Sequence, residues 1–356
     1  MIAEAMVTRA LDHPGIVPVY GLGQYDDGRP YYAMRFVSGN SFKQEITAFY
    51  KEATAPKASF YQGREYRKWL RRLIDCCNAM QYAHEHGILH RDLKPDNVML
   101  GRHGETLVVD WGLAKTYLSG TTDEDEIDVS DNSVIRLQSG LQTSLGKTLG
   151  TPMYMSPEQA MGLHNQLTPA ADVYSLGAML FNVSSGQNPI VGRNVEQVIE
   201  NVRAGNIRDL HGVMPTVPRT IVSICRKAMQ KDPMDRYQTT MEMADDLDRW
   251  LSDEPVLAHR DAETYSEKLG RWIRRHRSWT VSATAALVAI ALISVAASFL
   301  INLARKAEEA AKLQANIHKA EAVARYDQSL QAIDTWLVQS EGVLKHLPEA
   351  QSLREK

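Results

Sequence analysis

Between Trp279 and Leu303 the run WTVSATAALVAIALISVAASFLINL passes 25 residues without one charge. Wound as a helix rising about 1.5 Å per residue, it extends about 37 Å, enough to cross a hydrocarbon layer of about 30 Å. The competing reading is a buried core helix, but those are usually shorter and interrupted by polar residues. The preceding segment carries Arg271, Arg274, Arg275 and Arg277, with Trp272 and Trp279 as interfacial rings. That is the composition of a cytoplasmic flank. Arg305, Lys306 and Lys312 follow on the other side, so charge bias orients the helix only weakly. The expectation is a single-pass protein of the cell membrane, with residues before the span in the cytoplasm.

The remainder is ordinary in composition: 356 residues, net charge −3, 44% hydrophobic and 23% charged. These values exclude wholesale disorder and collagen-like repeats, and the near-neutral charge gives no reason to expect nucleic acid as a partner. Three cysteines, Cys76, Cys77 and Cys225, do not form a disulfide framework and fit a reducing compartment. The start, MIAEAM, lacks the basic and apolar pattern of a signal peptide. Residues 1–252 read as globular, 253–278 as a basic juxtamembrane linker, 279–303 as the span and 304–356 as a helical extracytoplasmic stalk. Within the globular part, Leu70, Leu73, Ile74, Cys77, Met80 and Ala83 recur at helical spacing, and Gly87 stands where that helix should stop. Ile16–Tyr20 and Tyr31–Val37 flank GLGQYDDGRP and predict a β-hairpin or meander whose glycines lie in the turn; Leu107–Val109 predicts a further strand.

Chemistry concentrates in HRDLKPDN, residues 90–97, followed by Asp110-Trp111-Gly112 and Ser156-Pro157-Glu158. Over about residues 2–250 this resembles the Hanks-type (eukaryotic-like) serine/threonine protein kinases, of the bacterial receptor-like transmembrane kind. The loop matches the family pattern H-R-D-L-x-x-x-N, with DWG in the place of DFG and SPE in that of APE. The resemblance implies an α+β, two-lobed kinase fold with a mainly helical C-lobe, using ATP and Mg²⁺ to phosphorylate protein Ser/Thr hydroxyls. Such chemistry asks mainly for positioning and charge neutralisation. Asp92 would orient the hydroxyl and accept its proton, and Lys94 would neutralise the γ-phosphate. Asn97 and Asp110 would supply the hard oxygens that Mg²⁺ prefers. Thr151 matches the family threonine that bonds the catalytic Asp and Lys.

Other matches implied by the resemblance are architectural or peripheral. Glu158 would pair with Arg236, and Asp172 would brace the loop backbone. Met34 would be the gatekeeper, Val37 would offer backbone groups to adenine, and Met99 would floor the pocket; Met34 and Met99 also read as ordinary core. Asp110 to Glu158 spans 49 residues, with six acidic residues between Asp123 and Asp131. It reads as a solvated acidic loop, or as a segment regulated by phosphorylation at Thr143, Ser144 or Thr148 with Arg91 receiving the phosphate.

One family feature is missing from this sequence. Glu4 matches the αC glutamate, and only three residues precede it, so the Gly-rich loop and β3 lysine have no counterpart and the N-lobe is truncated. Three readings follow: a fragment of an ordinary kinase or a misplaced start, a membrane-anchored pseudokinase scaffold unable to bind ATP normally, and a chain completed by strands from another polypeptide. The segment 304–356 reads as a coiled-coil homodimerisation element or as the root of a sensor domain.

Overall fold

The computed structural model describes residues 7–52, 56–116 and 152–344, in two compact units, Met1–Arg275 and His276–Lys356. In the first unit, β1 (Val19–Gln24) and β2 (Pro30–Met34) form an antiparallel hairpin with Gly23 opposite Tyr31. The turn is only Tyr25–Arg29, closed by the Tyr25 N–H to the Arg29 carbonyl (2.9 Å). The glycines of GLGQ therefore lie in the strand, not in the turn. The reason is local: a Cβ on Gly23 would sit 2.4 Å from Tyr31 Cζ, so the tyrosine ring crosses the strand only where no side chain intervenes. Ile16 and Val17 leave the predicted hairpin altogether. Both are buried, and Ile16 bridges Val108 in parallel, with the Val108 N–H on the Gly15 carbonyl (2.8 Å).

The chain continues through β3 (Gly39–Ser41), α1 (Phe42–Glu52) and α2 (Arg64–Glu85). Leu70, Leu73, Cys77, Met80 and Ala83 of α2 are all fully buried along one face. The helix stops at Glu85, and Gly87 takes φ 75°, its N–H reaching the His84 carbonyl (2.9 Å). This left-handed turn is what a glycine after a helix supplies. Then follow β4 (Ile88–Leu89), β5 (Val98–Gly101), β6 (Thr106–Val108) and β7 (Lys115–Thr116). β3, β5 and β6 form an antiparallel sheet in that order, with Met99 opposite Ser41 and Leu107; β4 pairs with β7.

The rest of this unit is mainly helical: α3 (Pro157–Ala160), α4 (Ala170–Ser185), α5 (Arg219–Ala228), α6 (Thr240–Leu251) and α7 (Tyr265–Arg275) mark its course. Every residue of α4 is buried, its polar residues Asp172 and Asn182 included, so the helix lies at the centre of the core. Gly177 lets α5 approach it, since a Cβ there would lie 2.7 Å from that of Ala228. α2 packs along α6, and Thr240 Oγ1 donates to the Cys77 carbonyl (2.9 Å). All three cysteines are free and buried. Residues 253–262, read from the sequence as the start of a linker, lie against this core. The N–H groups of Leu257 and Ala258 donate to Asp246 (2.7 and 2.9 Å), and His259 Nδ1 bonds Ser223 Oγ (2.8 Å).

The described residues of the second unit form one helix, α8 (Arg277–Leu344), 68 residues with no Gly or Pro before Gly342 and about 100 Å long. It contains one stretch that, by length and composition, is long and apolar enough to cross a membrane. Hydroxyls inside it turn back onto the helix, Thr284 to the Thr280 carbonyl, Ser294 to that of Ile290 and Ser298 to that of Ser294, each 2.8 Å. Each hydroxyl proton thus finds an acceptor without leaving the helix surface.

Candidate active site

The loop after β4 is shaped by a carboxylate from α4. Asp172 is fully buried and accepts three hydrogen bonds, from the His90 N–H (2.9 Å), the Arg91 N–H (2.9 Å) and His84 Nε2 (2.8 Å). Burial pushes its pKa up, but the His84 bond, the neighbouring histidines and the His90 N–H outweigh that and hold it below the ordinary aspartate value. With both N–H groups held, Arg91 sits at φ 69°, a left-handed conformation unfavourable for a side-chain-bearing residue.

Directly after this bend, Asp92 Oδ2 lies 2.6 Å from Lys94 Nζ and 3.2 Å from Asn97 Nδ2, while Asn97 Nδ2 also donates to the Asp92 carbonyl (2.9 Å). A short 3₁₀ turn, Pro95–Asn97, brings the asparagine back to the aspartate five positions earlier. The side chains of Asp92 and Lys94 are 13% and 15% exposed, so the pair is shielded yet reachable. Burial raises the Asp92 pKa above its ordinary value, opposed by the charge and hydrogen bond of Lys94. The Asp110 carboxylate adds to the rise, which puts it within electrostatic range of Asp92.

Asp110 is exposed and takes φ 63°, the second non-glycine residue of the site in the left-handed region. The following Trp111 is buried, its ring centroid 4.7 Å from that of His90. His90 Nδ1 accepts from the Asp92 N–H (3.3 Å), which leaves Nε2 to donate to the Val109 carbonyl (3.2 Å). Both nitrogens are satisfied by the neutral ring, and burial lowers the His90 pKa accordingly. Neighbouring Val109 N–H donates to the Asn97 carbonyl (2.9 Å), tying the two loop ends together.

α3 closes the far side. Gln159 Nε2 donates to the Arg91 carbonyl (2.8 Å), and its Oε1 accepts from the Ser156 hydroxyl (2.9 Å). Glu158 is clamped by Arg236 through two parallel bonds of 2.7 and 2.8 Å, and Arg236 also reaches the carbonyls of Ala170 (2.9 Å), Gln230 (2.7 Å) and Lys231 (3.0 Å). A forked guanidinium can satisfy so many acceptors at once where an ammonium cannot.

The structure thus brings Asp92, Lys94 and Asn97 into direct contact and sets Asp110 near them. Asn97 spends its NH₂ on Asp92, so its Oδ1 has no hydrogen-bond partner among the described residues, and the Asp110 carboxylate has no ion-pair partner among them. Two free hard oxygens suit Mg²⁺, which takes few protein ligands and keeps water and phosphate oxygens. Met99 is half-buried on β5; Val37 is half-buried between β2 and β3. Met34 is 49% exposed, so it is not an ordinary core methionine. Thr151, Glu4, the acidic run 123–131 and the three candidate phosphorylation sites lie outside the described residues.

Sequence reasoning missed three supports: His84 beneath Asp172, Gln159 on the Arg91 carbonyl, and His164, whose Nδ1 lies 2.9 Å from Arg91 Nη2. Only His84 left a trace. It continues the buried spacing Leu73, Cys77, Met80 of α2, where a polar side chain needs a partner.

The helical part of a mixed α/β unit thus braces a loop cluster of Asp92, Lys94 and Asn97. The protein kinase domain family matches residues 1–247 of the chain. The serine/threonine-protein kinase PknD of Protochlamydia amoebophila is 34% identical over 252 residues, covering 70% of this chain and 25% of that protein. PknB of Mycolicibacterium smegmatis is 31% identical over 250 residues (69% and 35%), and PknD of Chlamydia pneumoniae 29% over 259 (71% and 26%). The chain belongs to the protein kinase family, among its bacterial Hanks-type serine/threonine members. It spans between a quarter and about a third of the length of these relatives.

Proposed function

We propose that this chain is the catalytic and membrane-anchoring portion of a two-lobed serine/threonine protein kinase that transfers the ATP γ-phosphoryl group to protein hydroxyls in membrane-linked signalling. The observation that carries this is the Asp92 carboxylate, held between Lys94 and Asn97 and raised in pKa by burial. Asp92 orients the substrate hydroxyl and takes its proton as the oxygen bonds to the γ-phosphorus. The bond from that phosphorus to the bridging oxygen breaks, and ADP leaves. Lys94, already beside Asp92, places its ammonium where charge accumulates on the transferred group. Asn97 Oδ1 and the Asp110 carboxylate would hold Mg²⁺, which when bound supplies neutralising charge to the phosphates. Thr151 would add a hydrogen bond to the Asp92–Lys94 pair, while Met34, Val37 and Met99 would line the adenine side.

In this reading residues 1–252 are the catalytic domain, 253–278 the juxtamembrane segment, 279–303 the membrane span and 304–356 the extracytoplasmic stalk. An exposed apolar run is costly in water and favourable in lipid, which supports the span. Along α8, Val323, Tyr326, Leu330, Ile333 and Leu337 are exposed at alternating three- and four-residue spacing, a seam suited to pairing with a second copy.

The test uses the full chain in detergent micelles with Mg-ATP and a generic Ser/Thr protein substrate. Phosphate transfer that falls at least about a thousandfold in Asp92→Asn supports the assignment. Absence of both transfer and ATP binding in the parent chain would favour the pseudokinase scaffold.

A further inference from the structure

Away from the loop of Asp92, a cavity of about 400 Å³ opens between β3, α1, the middle of α2 and the turn after β5. Three of its lining side chains are cationic, Lys68, Arg72 and Arg102, against one carboxylate, Glu45. Glu45 accepts a hydrogen bond from Asn40 Nδ2 (2.9 Å), and none of the three cations has an ion-pair partner among the described residues. Lys68 and Arg72 stand one turn apart on α2 and so share a face, with Arg102 supplied by the turn after β5.

Arg72 is the built part of this site. It is 9% exposed, and its Nη1 is pinned by the Gly104 carbonyl and by Thr106 Oγ1 (3.1 Å), which in turn donates to Asp75 Oδ2 (2.8 Å). That leaves Nε and Nη2 with no hydrogen-bond partner among the described residues. Neither atom is sealed from solvent, so both can meet an anion that enters the opening, where two further cations gather. Lining charges sum to about +2, which matches a phosphomonoester at neutral pH (about −1.5 to −2) better than a single carboxylate. Trp69 and Leu100 in the wall offer apolar surface to the carbon stem that bears the phosphate.

We infer that this cavity is a docking site for a phosphorylated serine or threonine side chain of a partner protein, separate from the site of phosphoryl transfer. The binding needs no catalysis by this chain, so its test and that of the kinase reading can fail separately.

The experiment measures anisotropy of the fluorescein-labelled peptide Gly-Ala-phosphoThr-Ala-Gly with the full chain in detergent micelles, without nucleotide. Saturable binding at least about tenfold tighter than that of the unphosphorylated peptide is expected. The double variant Lys68→Glu/Arg102→Glu should weaken it by at least about tenfold. Both side chains are exposed, so the fold tolerates the change, and Lys68→Gln/Arg102→Gln should give the same direction with a smaller effect. Any Mg-ATP-dependent phosphorylation of a generic substrate should stay within about twofold of the parent, because neither residue is near the transfer chemistry. Equal binding of the two peptides, or undiminished binding by the charge-reversed variant, would overturn the proposal. Inorganic phosphate displacing the peptide at a concentration equal to the peptide's own Kd would overturn its assignment to a protein side chain.

Discussion

Replacing Asp172 by asparagine tests how the reactive loop is held. The native carboxylate accepts from two backbone N–H groups and from His84, at 2.8–2.9 Å and in full burial. Asparagine keeps one carbonyl oxygen but turns an NH₂ toward one of those donors. Oδ2 takes the His84 and His90 donors and Oδ1 takes the Arg91 N–H, so one bond to a charged acceptor is lost and its N–H stranded, at about 2 kcal/mol, while the two that remain fall from a charged to a neutral acceptor at about 1 kcal/mol each. The sum is about 4 kcal/mol, and the left-handed Arg91 loses the N–H bond that helps to impose its conformation. For a unit of this size about 2–4 °C of Tm goes with each kcal/mol, so Asp172→Asn should melt about 8–16 °C below the parent. Differential scanning calorimetry of the full chain in detergent reads this directly. A Tm within about 2 °C of the parent would refute the reasoning, because it would mean that the three bonds add nothing in the folded state.

Acid sensitivity follows from the same carboxylate. With its folded pKa depressed, Asp172 contributes stability that is fully present above the unfolded value of about 3.8 and disappears as pH falls through the folded one. His90 acts at higher pH: burial lowers its pKa, so the folded state resists protonation and stability declines as pH falls below about 6.5. Urea midpoints between pH 7 and 5 should drop in the parent and drop less in His90→Gln. For Lys94→Met, loss of the ammonium that opposes the Asp92 rise should shift the acidic limb of the kcat–pH profile to higher pH and lower kcat by at least about tenfold. Glu158→Gln should cost about 3 kcal/mol in a denaturant melt, since it strands the fully buried Arg236 guanidinium. If that variant unfolds at the parent's midpoint, the pair is not a structural clamp.

Much of the local architecture was legible from residue spacing. The apolar face of α2 and its stop at Gly87, the strand at Thr106–Val108 and the continuous helix through residues 279–303 all follow from period, glycine chemistry and absence of breakers. Glu158 with Arg236 and Asp172 with the loop were also expected, though only through resemblance to a family, since residues 78 and about 82 positions apart carry no local signal of contact. Gln159 and His164 could not be seen in this way, because each meets Arg91 only after α3 and the following turn fold back on the loop. The hairpin forms as its sequence predicts, but Gly21 and Gly23 fall in its strand for a related reason: glycine permits a turn, and whether a turn or a strand wins depends on the partner, here the Tyr31 ring lying across Gly23.

By itself, then, the sequence determined a charge-free segment that only lipid or a core can accommodate, and the set of residue types that phosphoryl transfer requires. Helical period and charge act within a few residues, so they survive in one dimension. Tertiary structure decided what long-range burial alone can impose: a carboxylate from α4 bending the loop, Asn97 turned back onto Asp92 with its oxygen left open, and Arg72 fixed at the rim of a cationic cavity. Each of these is a polar group taken out of water, and its partner is set by what the fold brings within about 3 Å, not by what lies next to it in the chain.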